Sequence, residues 1–470
     1  MIRLIKDKNT IMYKGILTAL SPVYGNEYKQ NLKLAFPILM AQAGQVVVQY
    51  ADTIMVGQLG VDALAAASFG GSIAMLCILI CMGVAMGLTP IAGSFFVKKQ
   101  YREMSAYFKH SIILNLLLSI LLGIIFYVFG FMFPYLGQTD EVVRLSLPYY
   151  LSLIVSIIPF MLFLSFKQFT EGVGNTRIAM QITIIANIVN IGFNYLLIYG
   201  NWGFPALGVT GAGIATLISR LIMPVLFLGY YLKSDSYKRF LVFFSTTPIQ
   251  KNIMQHLSKM GFPIGLQFMM EHSAFMFNTI MMGWFGAVAL AAHQITLQTT
   301  MFGFMIATGI ANATMIRVSH KVGCQDYAGA KRAASASFHI ISLFMFGLAL
   351  VYYFTRGYIA QIFTADQEVI AMASKLLIIG AVYQISDGLQ LVSVGALRGI
   401  GDVKVPMYYS FICYMIASLA TAYVLGFEFG LKEEGLWFGF VAGLTLASVL
   451  YLSRWERLIR SKIRVRLAYC

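Results

Sequence analysis

FPILMAQAGQVVVQYADTIMVGQLGVDALAA at residues 36–66 and FPIGLQFMMEHSAFMFNTIMMGWFGAVALAA at residues 262–292 align without a gap at an offset of 226. FPILM stands against FPIGL, ADTIMVGQLG against FNTIMMGWFG, and ALAA against ALAA. Each copy contains an apolar run of the length needed to cross hydrocarbon, roughly 20 residues for about 30 Å. The register continues beyond the runs: Gln100-Tyr101 faces Asp326-Tyr327, and EGVGNTRIAM at 171–180 corresponds to RGIGDVKVPM at 398–407, an offset of 227. Spans and the loops between them are duplicated together, so the chain reads as two related membrane bundles.

Composition agrees. Apolar residues make up 59% of the 470, charged residues 11%, and the mean hydropathy is +0.76, whereas soluble domains carry about 25% charged residues. Apolar runs fall at about 31–56, 66–97, 107–133, 144–165, 177–199, 207–232, 258–284, 290–316, 334–355, 369–394, 405–426 and 435–453. The expected fold is an all-α polytopic membrane protein, with twelve transmembrane helices in two pseudosymmetric six-helix bundles. The bundles are expected at 31–232 and 258–453, with a cytoplasmic tail at 1–30, a cytoplasmic linker at 233–257 and a basic cytoplasmic tail at 454–470. An even number of spans per half gives both halves the same orientation, related by an axis along the membrane normal, a plan suited to alternating access.

Charge sets the orientation. The even-numbered connections carry Lys98, Lys99, Arg102 and Lys109, then Lys167 and Arg177, then Lys233, Lys238, Arg239, Lys251 and Lys259. Arg317, Lys321, Lys331, Arg332, Arg398 and Lys404 continue the series, while in the odd connections only Arg356 and Lys432 break the rule. Basic loops stay in the cytoplasm, which puts both termini there and makes the net charge of +15 a feature that faces anionic lipid. The charges are spread over many short loops, so no nucleic-acid-binding surface is expected. Cys77, Cys81, Cys324, Cys413 and Cys470 are dispersed and read as buried small apolar residues. No nucleotide loop, paired-histidine metal motif or nucleophile elbow stands in context. The chain therefore reads as a secondary transporter and no enzyme, without a bound cofactor.

Three carboxylates lie inside spans: Asp52, Glu271 and Asp387. A charge in hydrocarbon costs several kcal/mol unless it is protonated, paired or facing water, so such residues mark ion or substrate pathways. Asp52 has Asn278 as its counterpart at the offset of 226, so the two halves differ chemically. Glu271 is nearly central in its span, and His272 projects about 100° away from it on a helix. Gln384, Asp387 and Gln390 are spaced by three and share one helix stripe, which reads as a cavity wall. A carboxylate serves a proton when its pKa is raised and serves Na⁺ as a hard oxygen ligand, so Glu271 and Asp387 suit either ion. Neutral lining is expected from Gln42, Gln49, Gln267, Asn278, Gln294 and Gln298. Adaptable apolar contact to substrate is expected from methionines and phenylalanines, Phe268 among them. Pro37 and Pro263, early in equivalent spans, are candidate bends, and GVAMG at 83–87 and GVTGAG at 208–213 are candidate close-packing faces.

The ordered series ADTIMVGQLG, EGVGNTR leading to NIGFNYLLIYG at 190–200, AAHQI at 291–295 and GALRGIGDVKVP at 395–406 resembles the multidrug and toxic compound extrusion (MATE) family, in its bacterial NorM-like branch. The resemblance spans residues 31–455. It implies two bundles around a large cavity, inward Na⁺ or H⁺ flow driving organic cations outward, and residence in the bacterial cytoplasmic (inner) membrane; for a two-lobed carrier, function as a monomer is the simplest expectation. It also implies roles for Asp52 with Asn190 and Asn194 in one half, and for Glu271 and Asp387 in the other. Asn194 stands where the family often has an acid. A rival reading is a flippase or exporter of lipid-linked saccharides or another amphipathic metabolite. An anionic substrate of that kind favours basic groups inside the membrane, whereas lysine and arginine are expected at the loops here and acids in mid-span.

Overall fold

A computed structural model describes residues 22–468. Residues 1–21, most of the expected amino-terminal tail, and Cys470 lie outside it. The described chain is helical, with no strand among the described residues. Twelve helical spans follow in order: α1 (Pro22–Gly57), α2 (Val61–Val97), α3 (Tyr101–Gly130), α4 (Asp140–Gly172), α5 (Thr176–Tyr199), α6 (Val209–Lys233), α7 (Lys251–Gly283), α8 (Ala287–Gly323), α9 (Tyr327–Phe363), α10 (Gln367–Gly399), α11 (Lys404–Glu428) and α12 (Lys432–Ala468). Eleven of them are long and apolar enough to cross a membrane by composition alone. The twelfth, α7, is 33 residues long, but Gln267, Glu271, His272 and Asn278 lower its hydropathy.

The duplication is written in the backbone. Gly60 and Gly286 have φ of +119° and +107°, Lys99 and Gln325 have +58° and +57°, and Gly174 and Gly401 have +91° and +87°. Each pair is equivalent under the sequence offset and ends or begins the same span of its half, where a left-handed residue stops a helix. Packing repeats as well: α4 packs on α2, α3 and α6, while α10 packs on α8, α9 and α12. α4 and α10 are thus the central helices of their halves.

The compact units do not coincide with the repeats. One unit, the amino unit, is Met40–Met269; the other, the carboxyl unit, takes residues up to Leu39 together with those from Met270 onward. The first half of α1 packs in the carboxyl unit. There Arg317 of α8 donates to Glu27 and Gln30, and its Nε donates to Asn31 Oδ1 at 3.3 Å, while Asn31 Nδ2 donates to Ser337 Oγ of α9 at 2.8 Å. The first half of α7 packs in the amino unit, where a methyl group built on Gly87 of α2 would lie 2.9 Å from the Gly261 nitrogen. The GVAMG stretch therefore does hold two backbones together, and α2 is interrupted at Gly87. In the other candidate packing face, a methyl on Gly211 would lie 2.5 Å from the Leu197 carbonyl oxygen. Pro37 and Pro263 sit within α1 and α7, shortly before each helix changes unit.

A short linker helix, Asp235–Thr246, follows α6 and is held to α3 by Ser105 Oγ donating to the Phe240 carbonyl at 2.6 Å and Lys109 Nζ donating to the Thr247 carbonyl at 2.8 Å. α11 is α-helical only in part: Phe411–Ser418 and Val424–Glu428 are π-helical. Gly435, Gly439 and Gly443, one turn apart on α12, receive it; a methyl on Gly439 would lie 2.5 Å from Ala422 Cβ. Small residues of this kind let membrane helices touch along their backbones. Cys77, Cys81 and Cys413 are buried thiols as expected, but Cys324 is exposed, because it follows the last turn of α8 in the loop before α9.

Candidate functional site

Each unit holds its own cluster of intramembrane polar groups. In the amino unit, Asp52 of α1 accepts a hydrogen bond on Oδ1 from Asn194 Nδ2 of α5. Asn194 Nδ2 also donates to Asn190 Oδ1 at 3.1 Å, and Asn190 Nδ2 reaches Thr216 Oγ1 of α6 at 3.4 Å. Helical spacing produces this ladder, since residues four apart lie one above the other. Asn190 and Asn194 are 3% and 0% exposed, and Asn194 Oδ1 has no hydrogen-bond partner. An unpaired buried acceptor carries a desolvation cost of about 1–3 kcal/mol, which a passing cation would relieve.

One turn beyond Thr216 stands Arg220, near the middle of α6. Its Nη1 donates to Ser156 Oγ of α4 at 2.7 Å, and its guanidinium lies over the Phe160 ring at 4.8 Å. It is within electrostatic reach of Asp52 and of Tyr149. This overturns the expectation that mid-span charge is acidic and basic residues cluster at loops. A single arginine among TLISRLIMPVLF scarcely changes a window average, so hydropathy alone passes over it.

In the carboxyl unit, Glu271 of α7 and Asp387 of α10 are both buried, at 9% and 0% exposure. Gln390 bridges them: its Nε2 donates to Glu271 Oε1 and to Asp387 Oδ1, each at 3.4 Å. Tyr414, in the first π-helical stretch of α11, donates its hydroxyl to Glu271 Oε1 at 3.4 Å. Asp387 Oδ2 and Gln384 Oε1 have no partner, although Gln384 Nε2 donates to the Thr300 carbonyl at 2.8 Å. The expected stripe of Gln384, Asp387 and Gln390 is therefore wholly buried, and two of its three residues meet the Glu271 carboxylate or its bridge.

Arg398, read from sequence as a loop charge, is on α10 with 6% exposure and within electrostatic reach of Glu271. Asp402, four residues on, pairs with Arg454 Nε at 2.8 Å. The error came from ending the tenth span at 394, whereas α10 runs to Gly399. In the equivalent place of the amino unit, Glu171 lies beside Lys167, at 3.9 Å. Tyr414 was also missed, because a π-turn shifts helical phase and a tyrosine in an apolar run carries no signal of its own.

The other expected lining residues divide. In the amino unit Gln267 is buried, Gln42 and Phe268 are half-buried and Gln49 is exposed. In the carboxyl unit Gln294 and Gln298 are exposed on α8, one turn apart. Asn278 is fully buried and donates to the Leu436 carbonyl at 3.2 Å, a helix-to-helix bond. His293 is likewise enclosed, between Thr279 Oγ1 at 3.0 Å and Trp437 Nε1 at 3.2 Å.

The MatE family model matches residues 37–196 and again 263–424. The chain belongs to the MatE family. The two matches fall one on each repeat. As a MatE chain it is a membrane transporter and not an enzyme. It is 31% identical over 456 residues to the multidrug resistance protein NorM of Vibrio vulnificus strain YJ016, covering 95% of this chain and 99% of that protein. It is 32% identical over 441 residues to a probable multidrug resistance protein NorM of Pasteurella multocida strain Pm70, covering 93% and 95%. In fold it matches the Vibrio cholerae MATE transporter VcmN in its bent form, with a TM-score of 0.85 at 19% identity over 94% of this chain and 99% of that one. The MatE fold of twelve spans in two bundles is thus the fold of this chain.

Proposed function

We propose that this MatE chain is an antiporter of the bacterial inner membrane, both termini cytoplasmic, that exports lipophilic organic cations by alternating access and draws on inward Na⁺ or H⁺ flow. The observation that carries the reading is the Glu271–Gln390–Asp387 bridge, with its unpartnered Asp387 oxygen. Glu271 and Asp387 carry one charge more than the buried Arg398 near Glu271 offsets, so at this depth both are charged together only with an added cation. A coupling ion and an organic cation would then compete for the same negative charge, and entry of one releases the other. Asp52, Asn190 and Asn194 would form a second cation-handling cluster, and the names of the NorM relatives support the substrate class.

The test is uptake of a fluorescent organic cation into inverted proteoliposomes under an imposed sodium gradient and, separately, an imposed pH gradient. One of the two gradients is expected to accelerate uptake. Glu271→Gln and Asp387→Asn are each expected to reduce that acceleration about a hundredfold while the protein remains folded, in line with loss of a buried charge worth about 3 kcal/mol. Stimulation by neither gradient, or full-rate transport by both variants, would refute the assignment.

A further inference from the structure

Arg220 is costly where it stands. An arginine near the centre of a membrane helix persists when it is paired or faces a polar path. Asp52 is the acid within its electrostatic reach, yet no ion pair within 4.0 Å joins them among the described residues. Arg220 is instead tethered on the α4 side, by Ser156 Oγ at 2.7 Å and the face of Phe160 at 4.8 Å. Ser156 is itself fixed, its hydroxyl donating to the Leu153 carbonyl at 2.6 Å.

Both charged groups keep open valences. A guanidinium has five N–H donors, and the bond to Ser156 is the one hydrogen bond Arg220 makes among the described residues. Asp52 Oδ2 accepts none, and neither this oxygen nor any Arg220 nitrogen is among the side-chain atoms sealed from solvent without a partner. Both residues are half-buried. A charge pair meant only to cancel would close; here a serine and a ring hold the cation on the α4 side, so that a half-buried anion and a half-buried cation within electrostatic reach of each other keep unfilled hydrogen-bonding positions in one bundle.

We propose that Arg220 is a specificity-determining residue that admits substrates carrying an anionic group beside their positive charge: amphipathic zwitterions whose ammonium faces Asp52 and whose carboxylate docks on the guanidinium. This deepens the organic-cation reading above and rests on it. Planar, forked donors suit a carboxylate, and Ser156 and Phe160 present the fork ready oriented.

The experiment measures equilibrium binding of two probes to the purified full-length protein: a cationic xanthene dye bearing a free carboxyl group, and the methyl ester of the same dye. The wild type is expected to bind the acid at least as tightly as the ester. Arg220→Gln is expected to shift the acid-to-ester ratio of dissociation constants by about tenfold or more against the acid, the loss of one charge-assisted hydrogen bond, and Arg220→Lys to restore most of it. Asp52→Asn, which removes the partner of the charge both dyes share, is expected to weaken both and leave the ratio in place. A ratio unmoved by Arg220→Gln, an Arg220→Lys protein indistinguishable from it, or a wild type that prefers the ester a hundredfold would each overturn the inference. Failure of the wild type to bind either dye would instead count against the organic-cation reading itself.

Discussion

Gln390 holds two carboxylates at once, and at 3.4 Å it holds both loosely. Well-formed N–H···O bonds are nearer 2.9 Å, so the bridge leaves each acid poised for a better partner. Asp326, in the loop before α9, is the opposite case. Burial acts to raise its pKa, but the Gly329 amide at 2.8 Å and Lys321 Nζ at 3.2 Å outweigh it and hold the carboxyl below the ordinary aspartate value. A depressed carboxyl stabilises above the unfolded value of about 3.9 and loses that contribution as pH falls through the folded one. Asp326→Ala should therefore cost about 1 kcal/mol at neutral pH through loss of a helix cap. The difference in thermal unfolding from wild type, followed in detergent, should shrink below about pH 4; a difference constant down to low pH would show that the carboxylate charge is irrelevant. At this scale the sequence was legible where a residue contrasts with its surroundings: Asp52, Glu271 and Asp387 stand out from apolar runs. It was illegible where contrast is diluted or phase is lost, as at Arg220 and Tyr414, and where a boundary was misplaced, as at Arg398.

Helices were legible to within a few residues at their apolar cores, because hydropathy reports the membrane's thickness. They were too short at their ends, because helices continue past hydrocarbon on charged residues, as α12 does to Ala468. The π-helical turns of α11 had no sequence signal, but the glycines that receive them did. A methyl on Gly439 has no room against Ala422, whereas one on Gly229 of α6 meets nothing within 4 Å. Gly439→Ala is expected to destabilise by about 1–3 kcal/mol, the usual cost of overpacking, and Gly229→Ala to leave the melting temperature in detergent unchanged or slightly raised. Equal effects would mean that α11 and α12 yield more easily than their contact suggests.

For the molecule as a whole, the repeat is easily seen and the packing units are not. Alignment at an offset of 226 reports ancestry, while the unit boundaries at Leu39 and Met269 report where side chains find partners, information that lies hundreds of residues away. Arg317, Glu27 and Gln30 carry no mark that they belong together. Their side chains are largely buried, with Arg317 at 12% and Glu27 at 10% exposure, and breaking a buried pair costs about 3–5 kcal/mol. A fragment ending at Thr247 would thus be left with residues 22–39 unsatisfied and without the first half of α7. Neither that fragment nor its complement is expected to accumulate when expressed alone in cells, and both are expected to accumulate when co-expressed. Independent accumulation of the two would show that the clamp on α1 is dispensable.

Because the amino unit is one uninterrupted stretch set inside a carboxyl unit made of two, the order of synthesis matters. Glu27 leaves the ribosome 290 residues before Arg317. At about 5–20 residues per second that is roughly 15–60 s, during which the leading turns of the nascent protein have no native partner. Whatever insertase or chaperone attends this protein has that interval in which to shelter a charged, amide-bearing helix end.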